Sequence, residues 1–176
     1  MGIEIEKGSI RMKTVVCDTG PILHLKEANL LNLLEKMGVI YIPHQVDAEL
    51  SEIDNSWSNE KPFWISIHNL SEADLNQAEV LSNSGLLAIG ESAAIILSKQ
   101  LKADWFLRDD ASARIFASTM GIEVHGSLGV VLWAAATGHL GYEEAKLAIK
   151  RLSQSSLWIS QNILRESYQA LDEMFL

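Results

Sequence analysis

Cysteine and long apolar runs are nearly absent from this sequence, and both absences limit what the protein can be. Cys17 is the single cysteine among 176 residues, which excludes an internal disulfide and a cysteine-based zinc site. Glu91 interrupts the apolar run Leu86–Leu97, and the run Val130–Ala136 is far shorter than the ~20 residues that a membrane-spanning helix needs. The chain also opens without the basic, apolar and small-residue segments of a secretion signal. We therefore predict a cytoplasmic protein with no membrane partner.

Basic residues are scarce as well. Lysine and arginine together number 14, against 23 aspartates and glutamates, which gives a net charge of −9. This deficit argues against broad, non-specific nucleic-acid binding, in which basic side chains replace the counterions along the phosphates. It does not exclude a nuclease, because a cation bound by carboxylates reverses the local electric field.

The length predicts one domain, because 176 residues can bury roughly two-thirds of the surface that the unfolded chain exposes. We place this domain at residues 13–176, since the pattern of strands and helices begins at Lys13. Residues 1–12 are polar and have two interpretations. They form either an N-terminal extension before a later start at Met12, or an additional edge strand in which Ile3–Glu6 alternates.

Short β-branched or apolar runs alternate with longer segments of helical periodicity. The predicted strands are Thr14–Cys17, Val39–Ile42, Phe63–Ile67, Asp104–Leu107 and Gly121–Val124. The predicted helices are Ile22–Met37, His44–Ile53, a segment from Ser71 to between Leu81 and Gly85, Gly90–Leu101, Asp110–Met120, Ser127–Thr137, Tyr142–Ser153 and Ile159–Met174, with a polar loop over Asp54–Pro62. This alternation predicts an α/β protein with a parallel sheet and helices on both faces.

Asp18, Thr19 and Gly20 follow the first predicted strand, and Asp-Thr-Gly is the catalytic signature of aspartic proteases. Those enzymes are built from strands and need two such aspartates that share a proton. Here the triplet occurs once and a helix follows it. Phosphatases that form an aspartyl-phosphate carry a second aspartate two residues after the first, where this chain has glycine. Neither class of enzyme fits Asp18.

Other acids are expected near Asp18, because the carboxyl ends of parallel strands form one edge of a sheet, where ligands bind. Asp109 and Asp110 directly follow the fourth predicted strand. Glu49 lies in the helix that follows the second strand, and Glu91 lies at the start of the buried helix, just after Gly90. Taken singly, each acid has a structural alternative, such as capping a helix. Taken together, and with no equal supply of cations in the same motifs, they would repel one another unless protonated or bound to metal. Oxygen ligands alone suit Mg²⁺ or Mn²⁺ and indicate phosphate chemistry.

These acids also carry a resemblance. The segments "VVCDTGPILHL", "IPHQVDAEL" and "GESAAIILSKQLKADWFLRDDASARIFASTMGIEVHGSLGVVLWAAATGHL" resemble PIN-domain proteins, in the uncharacterised branch related to VapC-type toxins. The likeness runs from about Lys13 to the end of the chain. The order Asp, Val-x-x-Glu, Gly-Glu-x-x-Ala, Asp-Asp and Gly-Ser-Leu-Gly matches throughout, which makes it specific.

The resemblance implies a three-layer α/β/α sandwich and a metal-dependent ribonuclease that leaves a 5′-phosphate and a 3′-hydroxyl. Asp18, Glu49, Glu91 and one of Asp109 and Asp110 match the acids that hold Mg²⁺ or Mn²⁺. Thr19 matches the hydroxyl residue beside the first acid, and Ser112 and Arg114 lie where polar residues follow the last one. Gly20 departs from the pattern, because many relatives carry Ser or Asn there. The resemblance also implies a homodimer and a small antitoxin protein as partners of the chain, with RNA as its substrate.

Other polar and aromatic residues have weaker claims. Lys26, Arg108 and Arg114 are the candidates for phosphate contact, whereas the five histidines are scattered and are predicted to have packing or surface roles. Cys17, Trp105 and Trp133 are predicted to lie in the core. Trp57 lies in a polar stretch, so we expect it to be exposed. Contact with a partner or exposure without a function is favoured over stacking on an RNA base.

Three functions remain in view. A metal-dependent ribonuclease, as the toxin of a toxin–antitoxin pair, is favoured because the set of acids is complete. A catalytically silent PIN-like binding module is the alternative, and a mutated set of acids would have favoured it. A phosphoacceptor domain of the response-regulator type is disfavoured, because its acid pair follows the first strand and the pair Asp109–Asp110 comes late.

Overall fold

Five parallel strands form one sheet in the part of the chain that the computed structural model describes, residues 12–110, 115 and 118–176. They are β1 Lys13–Cys17, β2 Gly38–Pro43, β3 Ile65–His68, β4 Trp105–Leu107 and β5 Val124–His125. Their order across the sheet is β3-β2-β1-β4-β5, so β1 and β4 are neighbours at the centre. Val15, Val16 and Cys17 of β1 are fully buried, as expected for a parallel strand that is covered on both faces.

Two groups of helices cover the sheet. The helices in the described residues are α1 Thr19–Glu27, α2 Asn32–Met37, α3 His44–Ile53, α4 Trp57–Glu60, α5 Glu72–Asn83, α6 Ile89–Gln100, α7 Ser127–Ala136, α8 Tyr142–Ser153 and α9 Gln161–Phe175. Helix α6 contacts α3 and α5, and α7 contacts α1, α2, α8 and α9. The predicted α/β/α sandwich around a parallel sheet is confirmed. None of the described helices is long and apolar enough to cross a membrane.

Helix α6 is the helix that contacts β1, β2 and β4 at the centre of the sheet. Ala93, Ala94, Ile95 and Leu97 are fully buried, which confirms the prediction of a buried helix from its small and apolar residues. The alanines let the helix backbone approach the strands closely. The first turn of α6 is thereby held beside the carboxyl ends of those strands.

The predicted helix Ile22–Met37 is wrong, because the chain forms two helices, α1 and α2, in its place. Asn29 has φ 56° and ends the first helix in the left-handed conformation that Asn tolerates better than most residues. The amide of Leu30 donates to the carbonyl of Leu25 and the amide of Asn29 to that of Lys26, which together form a Schellman motif.

The predicted loop Asp54–Pro62 contains α4, and the expected exposure of Trp57 is wrong. Trp57 is 1% exposed, and its indole Nε1 donates to Asp47 Oδ1 at 2.8 Å. The polar neighbours of Trp57 in the sequence concealed a single core residue. Trp57 is therefore not available to stack a base.

The fifth strand and the predicted core residues match the predictions to different degrees. The fifth strand lies at Val124–His125, later than predicted, and Trp133 is only partly buried, although it packs against the core. Cys17 and Trp105 are buried as predicted. Most of the predicted helix Asp110–Met120, and the alternating segment before Met12, lie outside the described residues.

Candidate active site

The central strands β1 and β4 bring their carboxyl ends side by side. Cys17 pairs with Leu107, and the amide of Asp18 donates to the Leu107 carbonyl at 3.0 Å. The amide of Arg108 in turn donates to the His125 carbonyl of β5 at 2.8 Å. The chain leaves β1 for β2 on one side, and β4 and β5 lie on the other, so this point is where ligands bind in open α/β sheets.

A cavity of about 230 Å³ opens at this point. Its lining brings together all five acids that the sequence predicts, and two of the residues predicted to contact substrate. The lining residues are Asp18, Thr19, Gly20, His24, Glu49, Ala88, Glu91, Arg108, Asp109 and Asp110. The acids come from four separate segments, namely the ends of β1 and β4 and the helices α3 and α6.

Asp18 is the most buried of these acids, with 6% of its surface exposed. Its Oδ1 accepts from the amide of Thr19 at 2.8 Å. Burial raises the pKa of Asp18 to about 6, and the nearby Arg108 guanidinium lowers the pKa without cancelling that effect, while Glu91 and Glu49 raise it further. Arg108 and the Thr19 amide therefore do not fully offset the cost of burying the charged carboxylate of Asp18.

Glu49 joins two helices across the cavity. Its Oε2 accepts from the hydroxyl of Thr19 at 2.6 Å, and its Oε1 accepts from the amide of Gly90 at 3.2 Å. A Cβ atom on Gly90 would lie 2.3 Å from Glu49 Oε1, so the glycine is what allows this approach. Thr19 thus orients Glu49, in keeping with a hydroxyl residue that accompanies the first acid.

Glu91 uses both carboxylate oxygens within the protein. Its Oε2 accepts from the amide of Ala88 at 2.9 Å, which satisfies a donor at the start of α6. Its Oε1 accepts from Arg108 Nη2 at 2.5 Å. Glu91 therefore has the helix-terminus role that was one alternative from the sequence, and it also faces the cavity.

Asp109 and Asp110 are adjacent in sequence but differ in environment. Asp109 Oδ1 accepts from the amide of Ser127, and its Oδ2 accepts from the Ser127 hydroxyl and from His24 Nδ1, each at 2.7 Å. Burial would raise the pKa of Asp109, but these hydrogen bonds outweigh it and hold the pKa below its usual range. The side chain of Asp110 is 57% exposed and lies 3.7 Å from Arg108 Nη2. Asp109 thus fixes the start of α7, and Asp110 lies at the mouth of the cavity.

A matched pair of substitutions tests this division. Asp109→Asn replaces an acceptor oxygen with an NH₂ group that faces the donors of Ser127 and His24. The variant should lose about 2 kcal/mol of stability, or roughly 4–8 °C in melting temperature. Asp110→Asn should leave the melting temperature within about 1 °C, because the side chain is largely exposed. Thermal unfolding of both variants in EDTA measures this, and equal melting temperatures would contradict the division of roles.

His24 is a site residue that the sequence analysis set aside. It lines the cavity and its side chain is 16% exposed. A signal was available, because a helix starting beside Asp18 places positions 20 and 24 on one face. Gly20 leaves room for this ring, since a Cβ there would lie 3.6 Å from His24 Cε1, an ordinary contact.

Lys26 does not reach the cavity. Its ammonium donates to Asp54 Oδ2 at 2.5 Å, to Ser56 Oγ at 2.8 Å and to Glu60 Oε2 at 3.3 Å. These bonds tie α1 to α4 and to the loop before it, which explains why a lysine near the first acid faces elsewhere. Ser112 and Arg114 lie outside the described residues.

A groove of about 470 Å³ adjoins the acid cavity, and His24, Asp109 and Asp110 line both. The opposite wall of the groove is apolar and comes from the segment between α8 and α9. Trp158 in this wall is 84% exposed. Trp158 was not among the residues predicted from the sequence, although it is an aromatic residue in a polar connection.

The carboxylates fit a hard divalent cation in donor type, because every candidate ligand is an oxygen. Within the described ranges, however, no three acidic, histidine or cysteine side chains are arranged to hold a metal ion as they stand. Glu49 and Glu91 have turned their oxygens toward protein donors, and Arg108 lies among the acids. Five carboxylates surround a single guanidinium in this lining, so negative charge remains in excess. The residues present therefore fit Mg²⁺ or Mn²⁺, provided that Glu91 leaves Arg108.

The fold and site define an α/β/α protein with an acidic cavity at the carboxyl edge of its parallel sheet. The chain belongs to the PIN-domain family, because a family model for a PIN domain matches residues 14–173. PIN domains are generally nucleases and typically use divalent metals. The match confirms the PIN-domain resemblance, whereas the relation to VapC-type toxins stays a prediction. Comparison with curated proteins and with solved structures finds no match.

Proposed function

We propose that the protein is a metal-dependent ribonuclease that hydrolyses phosphodiester bonds of RNA at the acid cavity. The observation that carries the proposal is the convergence of five carboxylates from four segments on one cavity in a PIN domain. A silent binding module has no need to keep them, since buried carboxylates without a cation cost stability. The raised pKa of Asp18 is such a cost.

Asp18, Glu91 and Asp110 are the residues that would hold the cation, with Glu49 beside them. A bound Mg²⁺ or Mn²⁺ ion would polarise the scissile phosphate and lower the pKa of a water molecule. Asp18 is held at the base of the cavity by β1, and Asp110 lies at its mouth. Thr19 fixes the orientation of Glu49 through its hydroxyl.

The metal requirement is the first test of this function. Purified protein should cleave 5′-labelled single-stranded RNA with Mg²⁺ or Mn²⁺, and lose cleavage in EDTA, because the carboxylates alone offer no nucleophile. Asp110→Asn, purified in parallel, controls for contaminating nucleases and should be inactive. Full cleavage in EDTA would overturn the metal mechanism, and RNA binding without cleavage would favour the silent module.

Trp158 supports single-stranded RNA as the substrate. Its ring is 84% exposed in a groove that shares Asp109 and Asp110 with the acid cavity. A base can stack on an exposed aromatic ring only if it is unpaired, and this stacking depends little on the identity of the base. A strand whose phosphate lies at the acids would therefore place a neighbouring base within the groove.

Trp158→Ala should raise KM for single-stranded RNA about tenfold and change kcat little, since stacking contributes about 1–3 kcal/mol per base. Phe63→Ala is the matched control, because Phe63 is 96% exposed and lines neither cavity. Steady-state kinetics on one oligonucleotide measure both. An unchanged KM for Trp158→Ala would remove the groove from the substrate path.

The toxin role, an antitoxin partner and a homodimer are further parts of the proposal, and they rest on the resemblance. A cytoplasmic location is also part of the proposal, and it rests on the sequence patterns alone. A short neighbouring gene for a DNA-binding protein with a tail would support the toxin role. Its co-expression should relieve growth arrest caused by this protein. Light scattering on the purified protein tests the homodimer, and a monomeric mass would contradict it.

A further inference from the structure

Arg108 occupies the middle of the acid cavity. It follows the last residue of β4 directly and is 3% exposed. Its Nη2 donates to Glu91 Oε1 at 2.5 Å and lies 3.7 Å from Asp110 Oδ2, while its Nη1 lies 3.7 Å from Asp18 Oδ2. One guanidinium therefore contacts all three acids that would hold the cation.

The hydrogen bonding of Arg108 does not by itself explain its position. Its Nε and Nη1 atoms are buried and have no hydrogen-bond partner among the residues that the structure describes. A buried donor without a partner is destabilising, so another interaction must offset the loss. The surrounding carboxylates supply that interaction, because they attract a cation that cannot lose its proton. The hydrogen bond to Glu91 and the attraction of the carboxylates of Asp18 and Asp110 together keep the side chain there.

We infer that Arg108 is a built-in competitor of the divalent cation, which stands in for the metal's charge among Asp18, Glu91 and Asp110 in the metal-free protein. The inference rests on the proposed function. Loading the site requires Glu91 to leave Arg108, and the incoming cation meets a positive charge that stays in the cavity. Arg108 thus weakens metal binding, stabilises the metal-free fold, and sets the metal concentration at which the site fills.

Manganese binding measured by electron paramagnetic resonance, with Mn²⁺ alone and no RNA, tests the inference. Arg108→Gln should bind Mn²⁺ about tenfold more tightly than the wild type. In the wild type the charged hydrogen bond from Arg108 to Glu91 must break before the metal binds, and in the variant this bond is absent. Lys146→Gln is the matched control, because it removes the same charge from an exposed position on α8 and should leave the affinity unchanged.

Thermal unfolding adds a readout that a simple loss of packing would not give. Metal-free Arg108→Gln should melt below the wild type, because the carboxylates lose their compensating charge, and saturating Mn²⁺ should raise its melting temperature by more than it raises that of the wild type. In a Glu91→Gln background, Arg108→Gln should increase the affinity by less. Arg108→Lys keeps a charge without the fork that reaches several acids, so its affinity should lie between those of wild type and Arg108→Gln.

The outcomes separate this inference from the proposed function. Equal or weaker Mn²⁺ binding by Arg108→Gln, with wild-type binding and cleavage intact, would overturn the competitor role alone. If Arg108→Gln does not fold, a wild-type affinity in Arg108→Lys would overturn it. Absence of Mn²⁺ binding in both the wild type and Arg108→Gln, together with uncut RNA, would overturn both.

Discussion

Asp18→Asn is expected to lower RNA cleavage by about 1,000-fold, because the cation loses its most buried ligand and several kcal/mol of transition-state stabilisation with it. Asparagine keeps the shape of the side chain, and its carbonyl oxygen can still accept from the amide of Thr19. The loss should therefore come from the missing charge. If Asp18 only caps α1, the variant would keep its cleavage, and that result would contradict the nuclease account.

The stability of the same variant should move in the opposite direction. The pKa of Asp18 is about 6 in the fold, against an ordinary value of 3.8, so between these two pH values the folded state holds a proton that the unfolded state has lost. The contribution of Asp18 to the free energy of unfolding is fully present below about pH 4 and is lost as the pH rises through about 6. The folded protein is thereby less stable by about 3 kcal/mol at neutral pH. Asparagine does not titrate and avoids this loss.

Urea unfolding in EDTA between pH 4 and 8 measures this difference between wild type and Asp18→Asn. The wild type should lose stability relative to the variant between about pH 4 and 7, and the two curves should run parallel above that range. A constant difference across the whole range would contradict the raised pKa of Asp18. The comparison between variants cancels the other titrating groups.

Gly90→Ala is expected to lower cleavage by about 100-fold, because a small displacement of a group at the reacting centre costs that much. The new Cβ would lie 2.3 Å from Glu49 Oε1, and the flexible glutamate must move away. The fold should keep its melting temperature, since alanine suits the first turn of a helix better than glycine. The activity loss would then be separate from unfolding.

Gly20→Ala is the matched control for Gly90→Ala. Gly20 also lines the cavity in the first turn of a helix, but a Cβ atom there would meet His24 Cε1 at 3.6 Å, an ordinary van der Waals contact. We expect this variant to retain most of its activity. Equal losses in both variants would show that Glu49 is not the sensitive contact.

The elements of the fold were predictable where local signals and burial agree. Helices His44–Ile53 and Tyr142–Ser153 have the predicted bounds, because each follows a proline or glycine that ends the preceding segment. Asn29 divides a continuous run of leucines into two helices through its backbone conformation, which the apolar spacing does not encode. Trp57 was missed because the Asp47 that receives its indole hydrogen lies ten residues earlier.

The place of the acids could be predicted, and their individual environments could not. The rule that ligands bind at the carboxyl ends of parallel strands was enough to expect Asp18 beside Asp109 and Asp110. Distinguishing the last two depends on Ser127, which is 18 residues away in sequence. Arg108 offsets the negative charge of these acids only because its side chain points into the cavity. The sequence indicates that such a charge is present, but not that it turns inward.

The central claim is that a divalent cation bound by the acid cavity performs the hydrolysis. Anomalous X-ray scattering from crystals soaked in Mn²⁺, at a concentration that supports RNA cleavage in solution, tests it most directly. We predict an anomalous peak among the carboxylates of Asp18, Glu91 and Asp110, and none there in Asp18→Asn crystals soaked in the same way. Cleavage that depends on Mn²⁺ without a peak in this cavity would contradict the account.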